Sequence, residues 1–258
     1  MPTALRDIAA HLDTLLSTAS TPDYPQALNG VQLEHRGPVH RVAVSVDVSA
    51  RVIDATIAAG ANLLIVHHGL FWGGLQRLQG RFYTRYAALF AHDIAVYAAH
   101  LPLDAHATLG NSKLLADHLG LVVTGGFAKH EHIHCGVRGE CDEPTAALVE
   151  RVRAFSASHE HTLVTTPYAP DRVTRRWAIC SGAGAGHETL REAAALGIDT
   201  LIVGEGPHWS AVDAADMGIT LLYAGHYATE TLGVCALGRE LESTFGLPWS
   251  FIAAPTGL

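Results

Sequence analysis

The sequence predicts an α/β protein built as two units, on three observations. Its 258 residues are 48% hydrophobic and only 16% charged, a composition that fills a large core. Short apolar runs alternate with amphipathic segments of about 10 residues, the signature of strands covered by helices. After Gly125 and Gly126 the chain changes texture, and the length suits two units of ordinary domain size.

The elements follow in order. From Ala4 to Ser17 the apolar positions Leu5, Ile8, Ala9, Leu12, Leu15 and Leu16 recur at helical spacing. A turn-rich stretch through Pro22, Pro25, Asn29 and Gly30 comes next. Arg41–Asp47 reads as a strand, Ala50–Ala59 as a helix, Leu63–Val66 as a buried strand, Tyr83–His92 as a helix and Ile94–Ala99 as a strand. A helix near Ser112–His118 leads to the second unit. There the pattern predicts a strand near Ile133–Val137, a helix from Pro144 to Phe155, a strand near Trp177–Cys180 and a helix over Glu188–Leu196. A strand Thr200–Val203, a helix around Ser210–Ala215 and a strand Thr220–Tyr223 complete it. A last helix, Thr229–Phe245, and a strand near Trp249–Ile252 are free to return to the first unit.

Composition excludes several classes. With 17 Lys and Arg against 25 Asp and Glu, the net charge of -8 argues against a protein that grips a nucleic-acid backbone. No run approaches the roughly 18 apolar residues of a membrane span, and the opening MPTALRDIAAHL lacks a signal-peptide core, which predicts a cytoplasmic protein. Cys135, Cys141, Cys180 and Cys235 form no Cys-x-x-Cys pair, so they read as reduced structural thiols. Histidine is the anomaly: 17 copies equal all Lys and Arg together, and imidazole is the commonest metal ligand.

Three motifs concentrate that chemistry. The apolar run Leu63–Val66 ends in His67, His68 and Gly69, at the carboxyl end of a strand where open α/β sheets place ligands. Adjacent strand residues point to opposite faces, so both imidazoles reach one center only if the backbone turns or if two metals lie side by side. The next strand ends in His100, with Asp104 four residues on; neighboring parallel strands bring their ends together, which lets Asp104 supply a carboxylate and His100 a ligand, an orienting partner or an acid–base group. His226 and Glu230, just past the strand ending at Tyr223, stand at i and i+4 and face one way on a helix. Three imidazoles and two carboxylates are too few to saturate two divalent ions, and open positions admit water or substrate. Two such ions less two carboxylate charges leave a positive center that favors an anionic ligand, and a hydroxide between metals roughly 3.5–4 Å apart is a usable nucleophile. The donor set suits Zn, Mn, Fe, Co or Ni.

Other segments carry weaker signals. Gly182-Ala183-Gly184-Ala185-Gly186 precedes a helix but lacks the Gly-x-Gly-x-x-Gly spacing, leaving a tight turn or an anion-binding loop. His130, His132 and His134 alternate as on one strand face, and His106 reads as a surface residue. Glu205 and His208 follow the strand Thr200–Val203, where they can move protons.

The segments ALNGVQLE at 27–34, VDVSARVIDATIAAGANLLIVHHGLFWGG at 46–74, YAAHLPLDAHATLGN at 97–111 and GHYATET at 225–231 make the chain resemble the GTP cyclohydrolase I type 2 homolog family, the Nif-three-like dinuclear metal-center proteins. The resemblance implies that His67, His68, Asp104, His226 and Glu230 hold two divalent metal ions. It implies two related α/β units with mixed and parallel sheets, residues 1–125 plus 232–258 and residues 126–231, the first completed by the C-terminal helix and strand, with the dinuclear site in the cleft between them. It also implies a homohexamer, a trimer of dimers. The function expected is a metal-dependent hydrolase, cyclohydrolase- or phosphohydrolase-like, acting on a small anionic substrate such as a nucleotide, with His100 or His208 moving protons. The alternative is a non-catalytic hexameric metal-binding or adaptor protein.

Overall fold

A computed structural model describes residues 3–258. It is α/β with mixed sheets, as the alternation predicts, and the chain divides into two compact units: residues 1–103 with 233–254, and residues 104–232 with 255–258.

The first unit is built on a five-stranded sheet in the order Trp249–Phe251, Val42–Asp47, Leu63–His68, Ala95–Ala98, Gly30–Leu33. The first four strands run parallel and Gly30–Leu33 is antiparallel to its neighbor. The central strands are buried along most of their length, which is why they read as continuous apolar runs rather than alternating ones. Helix Ala50–Ala58 starts at Ser49, whose hydroxyl accepts a hydrogen bond from the Val52 amide. It packs Val52 and Ile53 into a core with Leu64, Val66, Val96 and Leu89. The final helix, Thr231–Phe245, lays Gly238 so close to Trp249 that a Cβ there would sit 2.5 Å from the indole. The strand that follows pairs Trp249 with Val42. The last elements thus complete the first unit.

The second unit has a six-stranded sheet in the order Val123–His130, Ile133–Pro144, Val173–Cys180, Thr200–Val203, Thr220–Tyr223, Val164–Thr165. Its three middle-to-late strands from Val173 to Tyr223 are parallel and the others antiparallel. Helix Asn111–His118 belongs here, because Leu115, Ala116 and Leu119 are buried against Phe155, Trp177 and Leu148. On the other side, Leu190, Ala193 and Ala214 close a second core over Ala178, Leu201 and Leu221.

Two expectations are corrected. Val123–His130 and Ile133–Pro144 form a hairpin pairing Lys129 with His134 and His130 with Ile133, so His130, His132 and His134 do not share a strand face. The helix expected over Thr229–Phe245 is broken: His226–Thr229 makes one short helix and Thr231–Phe245 another, with Glu230 non-helical between them. The Thr229 and Thr231 hydroxyls donate to the carbonyls of His226 and Ala228, competing with the helix ladder at the break. No helix among the described residues is long and apolar enough to cross a membrane.

Candidate functional site

In the first unit, pairing of Val66 with Ala98 brings the carboxyl ends of Leu63–His68 and Ala95–Ala98 side by side. His67, His68 and His100 therefore emerge together, and one ring nitrogen of each lies within 4.8 Å of the others. The His67 centroid is 4.9 Å from those of both His68 and His100. The strand runs through both histidines, with His68 opposite Asp47, and the chain leaves it at Gly69.

Each imidazole is fixed through Nδ1. That of His67 donates to the Ala99 carbonyl at 2.8 Å, and that of His68 to Asp47 Oδ1 at 2.9 Å. The His100 Nδ1 lies 2.8 Å from Asp23 Oδ1, in a pair that is almost wholly buried. With the proton on Nδ1, the lone pair of a neutral ring sits on Nε2, the arrangement that metal-binding histidines take from carbonyl and carboxylate partners. Asp23 is itself tied down by the Asn29 amide and the backbone amides of Tyr24 and Leu101.

The second unit repeats this arrangement. Its parallel strands deliver Gly182, Glu205 and His226 just past Cys180, Val203 and Tyr223. Glu205 Oε1 accepts from His226 Nδ1 at 2.8 Å, while His226 Nε2 lies 3.2 Å from Glu230 Oε2. Asp104 accepts from Asn111 Nδ2 at 2.9 Å and from the Ser181 hydroxyl at 3.4 Å. Burial pushes the Cys180 thiol up to about 12, helped by the negative charges of Asp104 and Glu230, so this cysteine stays a protonated packing residue.

The glycine loop is a tight turn. The Gly182 amide donates to the Thr229 hydroxyl, the Gly184 amide to the Gly182 carbonyl and the Ser181 amide to the Ser112 hydroxyl, so these donors are turned inward. Its contribution to the site is closeness: Gly182, at φ +63°, lies against Glu230. Of the proton-transfer candidates, Glu205 meets His226, whereas His208 is exposed at the start of helix His208–Asp216. His106 is half-buried and its Nδ1 accepts from the Leu109 amide, closing a turn. Asp47 and Asp23 are orienting residues that the sequence reading missed. Asp47 carries the same signal as His67, a polar residue ending an apolar strand; Asp23 lies in a turn-rich stretch with no periodicity to mark it.

Burial disfavors the His226 imidazolium, but Glu230 and Glu205 together outweigh it and raise its pKa from 6.5 to about 9 in the metal-free chain. A raised pKa adds stability that is complete below the unfolded value and is lost as pH climbs through the folded one. Chelator-treated protein is therefore expected to lose melting temperature between pH 6.5 and about 9, and Glu205→Gln should flatten that decline in a thermal scan.

The family description DUF34/NIF3 (NGG1p interacting factor 3) matches residues 3–256. A "GTP cyclohydrolase 1 type 2 homolog" of Halobacterium salinarum is 41% identical over 243 residues, covering 92% of this chain and 93% of the relative. One of Deinococcus radiodurans with the same name is 39% identical over 236 residues, covering 91% and 88%. A solved structure from Thermus thermophilus superposes with a TM-score of 0.86 at 32% identity, over all of both chains. Family match and relatives agree over nearly the whole chain: it belongs to the DUF34/NIF3 family.

Proposed function

We propose that the protein is a metal-dependent hydrolase of a small anionic substrate, in which His67, His68, Asp104, His226 and Glu230 hold two divalent ions from the set Zn, Mn, Fe, Co and Ni. The observation that carries this reading is the common anchoring of the imidazoles. His67, His68 and His226 each commit Nδ1 to a carbonyl or carboxylate oxygen, a pattern that prepares Nε2 for a cation and that packing alone does not require.

A bound divalent ion supplies Lewis acidity, which polarizes a carbonyl or phosphoryl oxygen and lowers the pKa of water. The chain's own residues do the rest. Asp47 and Glu205 orient His68 and His226, and Asn111 orients the Asp104 carboxylate. His100 is assigned the proton: Asp23 holds its Nδ1, leaving Nε2 to accept a proton and the buried carboxylate to stabilize the resulting imidazolium. His208, by contrast, is exposed at the start of its helix. The four cysteines are free thiols, which suits a reducing cytoplasm. A homohexamer is part of the same proposal.

Metal analysis of the purified protein tests it first. Wild type is expected to carry stoichiometric ions, and His67→Ala and Glu230→Ala to lose them and to abolish turnover in a phosphoester and nucleotide screen, while light scattering still finds the assembly. Loss of assembly in both variants, with no turnover in wild type, would instead identify a structural metal-binding protein.

A further inference from the structure

Two aromatic side chains stand beside the first-unit histidines and have no place in the metal chemistry. The Trp72 ring centroid is 4.6 Å from that of His100 and 5.5 Å from that of His68, and Tyr24 lies 6.1 Å from His100. The two aromatics meet each other at 6.2 Å with planes 89° apart. Yet both are left wet: Trp72 is 39% and Tyr24 53% exposed.

The positions are held. Gln32 donates to the carbonyls of Ala27 and Leu28 and accepts from the Leu70 amide at 2.6 Å, tying the Trp72 loop to the segment that follows Tyr24. A Cβ at Gly69 would fall 2.3 Å from the Gln32 amide, so the close approach depends on that glycine. Tyr24 is fixed through its own amide, which donates to Asp23, the carboxylate that also anchors His100. An indole and a phenol kept in place at the edge of an imidazole cluster, with their apolar faces partly in water, are a stacking platform more than a core.

We propose that Trp72 and Tyr24 select a substrate carrying a planar heteroaromatic ring, which stacks on the indole with its edge toward the phenol. The inference rests on the hydrolase reading above and specifies its substrate: an anionic group directed to the cations and a flat ring to this corner. Stacking on an aromatic side chain changes affinity by about tenfold to a hundredfold and tolerates different bases, because each presents a π-face.

Calorimetry on metal-loaded protein tests this with guanosine 5′-monophosphate, adenosine 5′-monophosphate and ribose 5-phosphate as probes. Both nucleotides are expected to bind at least tenfold tighter than the ribose phosphate. Trp72→Ala should remove that preference, leaving ribose phosphate binding and metal content unchanged, and Trp72→Phe should retain most of it. Equal binding of all three by metal-replete wild type overturns the inference and leaves the hydrolase reading standing. So does a Trp72→Ala variant that keeps the preference or that loses its oligomeric state, since the indole would then serve an interface. Wild type that takes up no ions would instead sink the underlying metal reading.

Discussion

Replacing Asp23 with alanine is expected to destabilize the fold by several kcal/mol, because each buried donor left without its acceptor costs about 1–3 kcal/mol. The carboxylate accepts from Asn29, from the amides of Tyr24 and Leu101 and from His100, so one side chain joins the turn-rich segment at 23–29 to the end of the strand Ala95–Ala98. Alanine would leave several donors buried without acceptors. Asp23→Asn keeps the shape and one carbonyl oxygen, and should lose less. The pH response has a fixed sign. Burial raises the Asp23 pKa, but hydrogen bonding and charge from His100, with the Asn29 and Tyr24 donors, more than reverse this and hold it below 3.8. A depressed carboxylate pKa contributes stability above the unfolded value that is lost as pH falls through the folded one. Urea denaturation at pH 7 and below pH 3.8 should therefore find wild type and Asp23→Ala far apart at the first and closer at the second. A difference under about 1 kcal/mol at pH 7 would show that the network is not the structural tie described here.

Gly182→Ala is the second large effect. A Cβ at this position would lie 2.1 Å from Glu230 Oε1 and 3.3 Å from His226 Nε2, and the backbone has φ +63°. Glu230 is buried and already engaged with His226, so its carboxylate has little room to retreat. The expectation is a loss of about 1–2 kcal/mol from the left-handed backbone, together with at least about tenfold weaker metal binding as the donor pair is displaced. Gly60→Ala separates the two contributions: Gly60 has φ +65° with nothing within 4 Å of the added Cβ. It should pay the backbone term and leave metal content unchanged. Thermal scans and elemental analysis of both variants check this, and full metal occupancy in Gly182→Ala would count against the close approach.

The parts of the fold that were legible are those where local pattern and tertiary role coincide. Leu63–Val66, Thr200–Val203 and Thr220–Tyr223 are apolar because both sheet faces are covered, so the run itself announces the strand. Gly30–Leu33 and Val123–His130 were not read as strands. The first is polar at Gln32, bulged, and held by a strand distant in sequence, whereas the second contains Gly125 and Gly126 and is held as the edge of a hairpin with Ile133–Pro144. The twelve-residue Ile133–Pro144 was expected to end near Val137, because its later part is charged and half-exposed. The candidate site residues follow the same rule: His67, His68, His100 and His226 are visible as polar residues at or after the ends of buried strands. Their orienting partners were not all visible, since Asp23 lies 77 residues from His100 and nothing local marks the pairing.

The strand Trp249–Phe251 lies beside Val42–Asp47 in the sheet of the first unit, and this sets an order of events during synthesis. A ribosome will have released the whole of residues 104–232 before the edge of Val42–Asp47 can be covered. The segment translated first is thus the later one to close, and until then an apolar parallel strand stays open to chaperones or to pairing with another nascent chain.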